Sequence, residues 1–362
     1  EYHLYIPVSY DGTTSVPLLF VFHGYGGSAE SLMRWGDMKS VADTAGFILI
    51  VPQGYIDHRN TPHWNVGSWT ARSTVDDIGF IEKIINRTSD EFNLDLQRVY
   101  SYGHSNGGYF SFELACQLGN KIAAIGSIAG TMSTETYNKC SPSQPTSVIT
   151  IHGTLDPVVN YAGGKPYNSK SQHTSNSYWI DYNNTKTIPD TVEIANKVKS
   201  DGSHVELYKY DGGINGTSVH HFKVINGGHG WPGRYDNMDI IATSEIWNFI
   251  SKFNTEGLIS NESTYLEKEI KSSNSYGIKL EQNYPNPFNP STSIDFYLPQ
   301  MEQVSLTVYN HTGQKITDVI TGKFLKGNQS EMLNLNSFSS GLYLYRLTTP
   351  THSITKTMTL IK

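Results

Sequence analysis

The sequence is poor in charge and in cysteine. Only 17% of its 362 residues are charged, and the formal net charge is -6. A basic surface is the electrostatic signature of nucleic-acid binding, so this composition predicts no nucleic-acid partner. The two cysteines, Cys116 and Cys140, stand too far apart for a CxxC or Cys/His zinc motif, and we expect no metal site.

Long hydrophobic segments are absent as well. The sequence contains no run of about 18 apolar residues, which predicts that no helix spans a membrane. No signal peptide is visible, and because the chain begins directly in the strand-like segment 2–7 we expect that a leader has been removed. The charge-poor composition, with 23 tyrosines and 32 glycines, is typical of an extracellular protein. The length predicts one large domain and one small domain.

The most informative motif is a glycine-flanked serine at Gly103–Gly107, read Gly-His-Ser-Asn-Gly. It follows a β-like run and precedes the helical pattern of residues 109–116. In that context Gly-x-Ser-x-Gly is typical of a nucleophile elbow, a strained turn that exposes the serine hydroxyl. We predict that Ser105 is a nucleophile. The alternative is an ordinary glycine-rich turn in which Ser105 caps the helix.

An acid and a base follow the serine at suitable places. Asp156 comes directly after an apolar run that ends at Gly153, and His229 lies in a glycine-rich loop after a later strand. The chain order Ser, Asp, His is that of α/β-hydrolases and differs from the orders in two protease folds. We therefore predict a triad of Ser105, Asp156 and His229. His152 lies within the strand, and we interpret it as a structural residue beneath the site.

A second glycine-rich loop, His23–Ser28, follows the apolar run 16–22. α/β-Hydrolases place one donor for the reaction's oxyanion in a loop at the end of an early strand. We predict that the backbone N–H groups of Tyr25 and Asn106 form this oxyanion hole. The alternative is a plain glycine-rich turn.

Three tryptophans are candidates for substrate binding. Trp64 and Trp69 lie in the long loop 54–72, and Trp231 lies two residues after His229. Long loops at strand ends often carry recognition residues. Each tryptophan either lines the cleft, where its ring would stack on an aromatic acyl group or a sugar, or belongs to the core.

Strand and helix patterns alternate over residues 1–255. Continuous apolar runs such as residues 16–22 and 46–52 are typical of strands covered on both faces. We predict an α/β-hydrolase fold here, with a mostly parallel sheet flanked by helices. Within it we interpret the polar segment 161–187 as an irregular insertion at the lip of the cleft, and residues 188–199 as a helix.

Four segments together resemble the polyhydroxybutyrate depolymerase / feruloyl esterase group of α/β-hydrolases. They are His23–Gly27, Gly103–Gly108, His152–Asp156 and Gly228–Gly233, and the resemblance covers roughly residues 1–254. It implies a hydrolase that needs no cofactor and that acts on plant-wall esters, such as feruloyl or acetyl groups, or on polyesters.

The two cysteines are candidates for a disulfide. Two lone thiols in a secreted chain usually pair, and the alternative is two unrelated buried thiols. A bridge would join the helix after the serine to the loop before the next strand. The family that the sequence resembles commonly carries a paired cysteine where Cys116 and Cys140 lie.

The composition changes after residue 254. Residues 256–276 are polar and are interpreted as a linker. Residues 277–362 contain short alternating runs between turn residues, which predicts a small β-sandwich. Segments 283–290 and 340–343 resemble the C-terminal sorting domain of the bacterial type IX secretion system. That resemblance implies contact with the secretion machinery and a secreted or cell-surface protein; the alternative is a carbohydrate-binding module.

The sequence thus predicts a secreted serine carboxylic-ester hydrolase that works through an acyl-enzyme on a polymeric ester. Feruloyl or acetyl esters of plant walls are the first hypothesis, and polyester depolymerisation is the alternative. Two further possibilities are a serine peptidase of the same fold and an inactive surface protein that binds glycans. An intact Ser, Asp and His favour an enzyme.

Overall fold

The structure is a computed structural model, and it describes residues 1–35, 38–56, 60–70, 72–259, 278–298, 301–310, 314–324, 327–350 and 353–362. The chain divides into two compact units, Glu1–Asn261 and Glu262–Lys362. The linker that the sequence predicts over residues 256–276 lies outside the described residues from position 260 onward.

The N-terminal unit is built on a large twisted sheet. The described strands of this unit are β1 (Tyr2–Tyr5), β2 (Val16–Phe22), β3 (Ile48–Pro52), β4 (Tyr55–Ile56), β5 (Pro62–His63), β6 (Leu94–His104), β7 (Ala124–Ile128), β8 (Ser147–Gly153), β9 (Asp190–Glu193), β10 (His204–Tyr210), β11 (Val219–Ile225), β12 (Phe253–Asn254) and β13 (Gly257–Leu258). Nine of them form one sheet in the order β1-β3-β2-β6-β7-β8-β11-β10-β9. Six strands from β3 to β11 are parallel, and at the two sides of the sheet β1 pairs antiparallel with β3, β10 with β11, and β9 with β10.

Helices cover both faces of this sheet. The described helices are α1 (Ala29–Trp35), α2 (Met38–Ala45), α3 (Asp77–Glu91), α4 (Asn106–Gln117), α5 (Thr134–Lys139), α6 (Gln172–Asn183) and α7 (Ala242–Ile250). Residues of α1, α2 and α7 pack into one hydrophobic cluster, and residues of α3, α4 and α6 pack into the other. Successive residues of β2 alternate between the two, with Leu19 in the first cluster and Phe20 in the second. A parallel sheet with helices on both faces confirms the predicted α/β fold. Its central strands are apolar throughout because both of their faces are covered.

The direction of the parallel strands determines where the candidate site residues lie. The segments that follow parallel strands all begin at the same edge of the sheet, the edge with the carboxyl ends of the strands. The loop after β2, the turn after β6, the loop after β8 and the loop after β11 all leave at that edge. These segments carry Tyr25, Ser105, Asp156 and His229.

Two predictions about the middle of the chain are wrong. The segment 161–187 is not irregular throughout, because it contains α6. The Ser171 side chain accepts a hydrogen bond from the Thr174 N–H and caps this helix, and the buried Trp179 anchors it. Residues 188–199 are not a helix. Ile188 is 82% exposed, and β9 instead pairs through its backbone with β10 at the sheet edge.

The predicted disulfide is confirmed. Cys116, in the last turn of α4, is bonded to Cys140, which follows α5. Among the described residues no helix has both the length and the hydropathy that crossing a membrane requires.

The C-terminal unit is a small antiparallel β domain, as predicted. Its described strands are β14 (Lys279–Leu280), β15 (Ser291–Leu298), β16 (Glu302–Asn310), β17 (Lys315–Phe324), β18 (Gly327–Asn334), β19 (Gly341–Thr348) and β20 (Ser353–Leu360). They form a three-stranded sheet, β14-β15-β18, and a four-stranded sheet, β17-β16-β19-β20. Alternate residues of both sheets, such as Phe296 and Leu306, meet in one shared core.

Candidate active site

Ser105 lies in a strained turn between β6 and α4. Its φ is 53° and its ψ is -119°, a conformation that residues with a side chain rarely adopt. A Cβ added at Gly103 would lie 2.4 Å from the Gly107 carbonyl carbon, so the strand and the helix cross too closely for any larger residue. The Ser105 side chain makes no capping hydrogen bond to the helix. The turn therefore has the strained geometry that the Gly-x-Ser-x-Gly pattern predicts, and Ser105 does not cap the helix through its side chain.

His229 lies beside this turn, in the loop that follows β11. Its ring centroid is 4.9 Å from that of His104, the residue that precedes Ser105. Its Nδ1 is 2.7 Å from Asp156 Oδ2, and its side chain is 18% exposed. The Nδ1–H can donate to the carboxylate, which directs Nε2 away from Asp156.

The Asp156 side chain is fully buried, and its carboxylate is saturated with donors. Oδ1 accepts hydrogen bonds of 2.8 Å from the N–H groups of Val158 and Val159, and Oδ2 accepts from His229 and His152. Burial by itself raises the pKa of Asp156, but hydrogen bonds from the two histidines outweigh it and hold that pKa well below its ordinary value. The carboxylate is ionised throughout the physiological range.

His104 is a neutral neighbour of this pair. Burial, and then the proximity of His229, lower the pKa of His104 to about 4. Its Nε2 lies 3.3 Å from the His229 carbonyl oxygen, which can only accept, so Nε2–H donates. His104 thereby holds the backbone of the loop that carries His229, a contact for which the sequence offered no signal.

The loop after β2 passes directly beside Ser105. A Cβ added at Gly24 would lie 3.4 Å from the Ser105 Cβ. The Gly24 carbonyl accepts from His23 Nδ1–H at 2.8 Å and from the Gly27 N–H at 2.9 Å. Because the carbonyl and the following N–H point in opposite directions across one trans peptide, these bonds also fix the direction of the Tyr25 N–H.

The tautomer of His23 is set by its other nitrogen. Nε2 accepts from the Gly54 N–H at 2.9 Å, so the proton is on Nδ1. Burial lowers the pKa of His23, which keeps the ring neutral. The sequence indicated the importance of the loop but not of this side chain.

The Asn106 side chain is fully buried and forms a reciprocal pair with the backbone of Trp64. Asn106 Oδ1 accepts from the Trp64 N–H at 2.7 Å, and its Nδ2–H donates to the Trp64 carbonyl at 3.0 Å. This pair ties the first residue of α4 to the long loop and fixes the position of the Asn106 peptide.

The three tryptophans have different environments. Trp64 is 0% exposed, stacks on Phe110 and donates its indole N–H to the His23 carbonyl. Trp231 is 3% exposed and packs against Tyr102. Both are core residues, so the prediction that they bind substrate is corrected: neither ring presents a face to a cleft.

Trp69 differs because it is half-buried. Its ring centroid lies 5.5 Å from that of Tyr25 and 5.1 Å from that of Tyr167. Tyr25 is 41% exposed. An aromatic cluster of Trp69, Tyr25 and Tyr167 therefore continues from the loop beside Ser105 towards the solvent.

Within the part of the chain that the structure describes, no cluster of three or more His, Cys, Asp or Glu side chains could hold a metal ion. The same sheet edge carries a half-buried alcohol, an imidazole and a buried carboxylate. Groups of this kind can transfer a proton from the alcohol to the imidazole.

Both units of the chain match known protein families. Residues 8–187 match the phospholipase/carboxylesterase family, and residues 282–362 match the secretion system C-terminal sorting domain. A bifunctional acetylxylan esterase/xylanase of Neocallimastix patriciarum is 26% identical over 72% of this chain and 34% of its own length. Feruloyl esterase D of Neurospora crassa is 26% identical over 70% of this chain and 82% of its own length.

Two solved esterase structures are similar to this chain. The acetyl xylan esterase from Aspergillus awamori is 15% identical, with a TM-score of 0.47 over 69% of this chain and 93% of its own. A ferulic acid esterase from Anaeromyces mucronatus is 16% identical, with a TM-score of 0.46 over 70% of this chain and 85% of its own. This chain spans about a third of the length of the Neocallimastix protein, which has a second activity in its name. Residues 8–187 belong to the phospholipase/carboxylesterase family, and residues 282–362 are a secretion system C-terminal sorting domain.

Proposed function

We propose that the N-terminal unit is a serine esterase in which Ser105, His229 and Asp156 act as a triad. One observation carries the proposal. The 2.7 Å hydrogen bond between His229 Nδ1 and Asp156 Oδ2 lies at the same sheet edge as the strained turn that presents the Ser105 hydroxyl. A buried carboxylate that fixes the tautomer of an imidazole beside a serine hydroxyl is the arrangement that activates a serine.

The proposed reaction has two halves. Ser105 Oγ attacks the ester carbonyl while His229 Nε2 takes its proton, and Asp156 stabilises the imidazolium. The backbone N–H groups of Tyr25 and Asn106 hold the oxyanion; loss of one such donor typically costs about 3 kcal/mol of barrier. His229 returns the proton to the departing alcohol, which leaves an acyl-enzyme. Water, deprotonated by His229, then releases the acid.

We propose plant-wall esters of the feruloyl or acetyl xylan type as substrates, because the relatives at 26% identity carry those names. The aromatic cluster of Trp69, Tyr25 and Tyr167 favours an aromatic acyl group within that class. Trp69 is thus the candidate for substrate binding that remains from the sequence prediction.

A polyester is the second candidate, and one observation favours it. Leu155 and Val158 flank the buried Asp156, and they are 65% and 37% exposed. Apolar side chains at the rim of a site suit a hydrophobic polymer better than a polysaccharide.

The sorting domain marks the chain for export, which fits a polymeric substrate that cannot enter a cell. We propose that this domain is the part that the type IX machinery contacts.

The first experiment replaces the nucleophile. Ser105→Ala should abolish turnover of p-nitrophenyl acetate and labelling by a fluorophosphonate, while its thermal unfolding stays that of a folded protein. Full activity of this variant would end the proposal, and an inactive, unlabelled wild type would favour a glycan-binding role. Turnover of methyl ferulate, acetylated xylan and a hydroxybutyrate oligomer, measured side by side, then separates the substrate classes.

A further inference from the structure

His152 is a buried imidazole that contacts the proposed triad from behind. It lies near the end of β8, four residues before Asp156, and is 1% exposed. Its Nε2 is 3.1 Å from Asp156 Oδ2 and 2.9 Å from the Val159 carbonyl oxygen. Because the ring is enclosed, it cannot touch a substrate, and any effect on the reaction must pass through Asp156.

The direction of this hydrogen bond follows from its partners. An ionised carboxylate and a backbone carbonyl can only accept, so His152 Nε2 carries a proton and donates it. His229 donates to the same oxygen, Asp156 Oδ2. One carboxylate oxygen is therefore shared by two imidazoles.

The far side of the His152 ring is also held. Nδ1 lies 2.8 Å from Oε1 of Gln172, the first residue of α6, so both ring nitrogens of His152 face acceptor oxygens. Gln172 is 0% exposed. Gln172 bonds Asn176 at 2.9 Å, and Asn176 bonds Thr150 of β8 at 3.2 Å. This buried series of hydrogen bonds leads back to the strand that carries His152, so the ring has one orientation.

A donor on Asp156 Oδ2 has two consequences for His229. It fixes the carboxylate against the imidazole, and it withdraws part of the negative charge that stabilises the imidazolium. We propose that His152 is a positioning residue of the reaction, which holds Asp156 in place and limits how strongly that carboxylate retains the proton on His229. This inference rests on the proposed triad.

The other titratable groups around the pair are few in the described ranges. His229 faces Asp156 from the loop after β8 and His104 from the end of β6, and Asp236 bonds Gly228 in its own loop. His152 faces Asp156, the ring of Tyr161 at a centroid distance of 5.5 Å, and His221, whose pKa its proximity lowers. A substitution at His152 therefore reaches His229 chiefly through Asp156.

The test compares His152→Leu, which loses the donor, with His152→Gln, whose amide N–H can replace it. Each is titrated with a fluorophosphonate, and kcat and KM for p-nitrophenyl acetate are measured from pH 5 to 9 per titrated site. For His152→Leu we expect kcat to fall ~10- to 100-fold, because the pair is misplaced, with KM little changed. The acid limb of the pH profile of kcat/KM should move to higher pH by about one unit or less. Asp156 regains negative charge in this variant and retains the proton on His229 more strongly. His152→Gln should return both kcat and the position of the acid limb towards their wild-type values.

The chain offers a matched control in His220, which makes a similar bond of 2.8 Å to Asp211 away from the triad. His220→Leu should leave the pH profile per titrated site unchanged. An acid limb that stays at the wild-type position in His152→Leu would overturn the proposal, whether or not kcat falls. If His152→Leu does not fold, Gln172→Leu takes its place, with a smaller shift expected in the same direction and an unshifted limb again decisive.

These outcomes are distinct from failure of the triad itself. If the wild type neither labels nor turns over ester, the proposed function fails and His152 has no reaction to assist. If the wild type labels and turns over ester but the profile of His152→Leu equals that of His220→Leu, only the role of His152 fails.

Discussion

The hydrogen bond from His229 Nδ1 to Asp156 Oδ2, 2.7 Å long, joins the loops that follow two adjacent parallel strands, β11 and β8. It fixes the imidazole tautomer. In Asp156→Asn the amide can present its NH₂ to Nδ1, which would place the ring proton on Nε2, where it cannot accept from Ser105. We expect kcat for p-nitrophenyl acetate to fall by about 10³–10⁴. Asp236→Asn is the control, since it keeps an acceptor for the Gly228 N–H. Activity of Asp156→Asn close to wild type would contradict the assignment.

A second prediction concerns stability at low pH. Burial, and then the proximity of His152, lower the pKa of His221 to about 3. The unfolded chain binds this proton more readily, so the free energy of unfolding should fall as the pH drops from about 6.5 towards 3. Between pH 7 and 5 the loss should be ~2 kcal/mol from this residue.

Urea unfolding at pH 7 and pH 5 measures that loss. His221→Gln should make stability less sensitive to pH over this interval, even if the variant is less stable at pH 7. His173 on α6 is exposed, and His173→Gln should keep the wild-type dependence. Equal pH dependence in all three proteins would show that the buried ring does not control acid unfolding.

The sequence predicted which of the candidate site residues lie at the carboxyl edge of the sheet, for a simple reason. The buried parallel strands are continuous apolar runs, and the residues that follow β6, β8 and β11 are placed by strand direction alone. The positions of Ser105, Asp156 and His229 therefore needed no knowledge of side-chain packing. The strained φ of 53° at Ser105 follows from the glycines on either side.

Features that depend on packing could not be predicted in this way. Trp64 and Trp69 lie in one polar loop, and only the contacts of Trp64 with Phe110 and Asn106 place it in the core. The helix α6 was missed because its sequence is polar, and Ser171 and the buried Trp179 stabilise it instead. For residues 188–199 the sequence pattern predicts a helix, whereas β9 forms by backbone pairing with β10, a long-range contact that local patterns do not report.

A third prediction uses Asp77, which is 4% exposed and accepts a 2.7 Å hydrogen bond from the Asn65 N–H. Burial raises the pKa of Asp77 to about 6, and the bond from Asn65 opposes this only in part. The folded state thus prefers the protonated acid, and its contribution to stability is lost as the pH rises through about 6. Asp77→Asn should raise the free energy of unfolding relative to wild type more at pH 8 than at pH 4.5, by about 2 kcal/mol.

Chemical denaturation at the two pH values checks this difference. Asp76 is the matched control, because it is exposed and caps α3 through the Gly79 N–H. Asn is as good a helix cap as Asp, so Asp76→Asn should change stability little at either pH. A pH-independent effect of Asp77→Asn would mean that its carboxyl is ionised in the folded protein.

A fourth prediction separates the two tryptophans of the long loop. Trp64→Ala should cost about 3–5 kcal/mol of stability, because a fully buried ring is removed. Trp69→Ala should cost much less stability and instead raise KM for methyl ferulate by ~2- to 10-fold, with KM for p-nitrophenyl acetate little changed. Thermal unfolding and steady-state kinetics on both esters measure the two effects. Loss of affinity for both esters alike would contradict an aromatic acyl subsite at Trp69.

A fifth prediction concerns the disulfide between Cys116 and Cys140, which are 24 residues apart in sequence. A cross-link over a loop of this size should stabilise the folded state by about 3 kcal/mol, chiefly by restricting the unfolded chain. Removing both thiols, in Cys116→Ala combined with Cys140→Ala, should lower the free energy of unfolding by that amount. The comparison is made by denaturant unfolding, with the wild type in oxidised and reduced form beside the double variant.

The bridge joins the end of α4 to the segment after α5, and Ser105 lies at the opposite end of α4. Because the elbow is fixed by its glycines and by the Ser105 N–H bond of 2.8 Å to the Ile128 carbonyl, we expect kcat of the double variant to equal that of wild type below its unfolding temperature. Reduced wild type should then unfold like the double variant. A drop in kcat without a change in stability would instead mean that the bridge holds the catalytic turn.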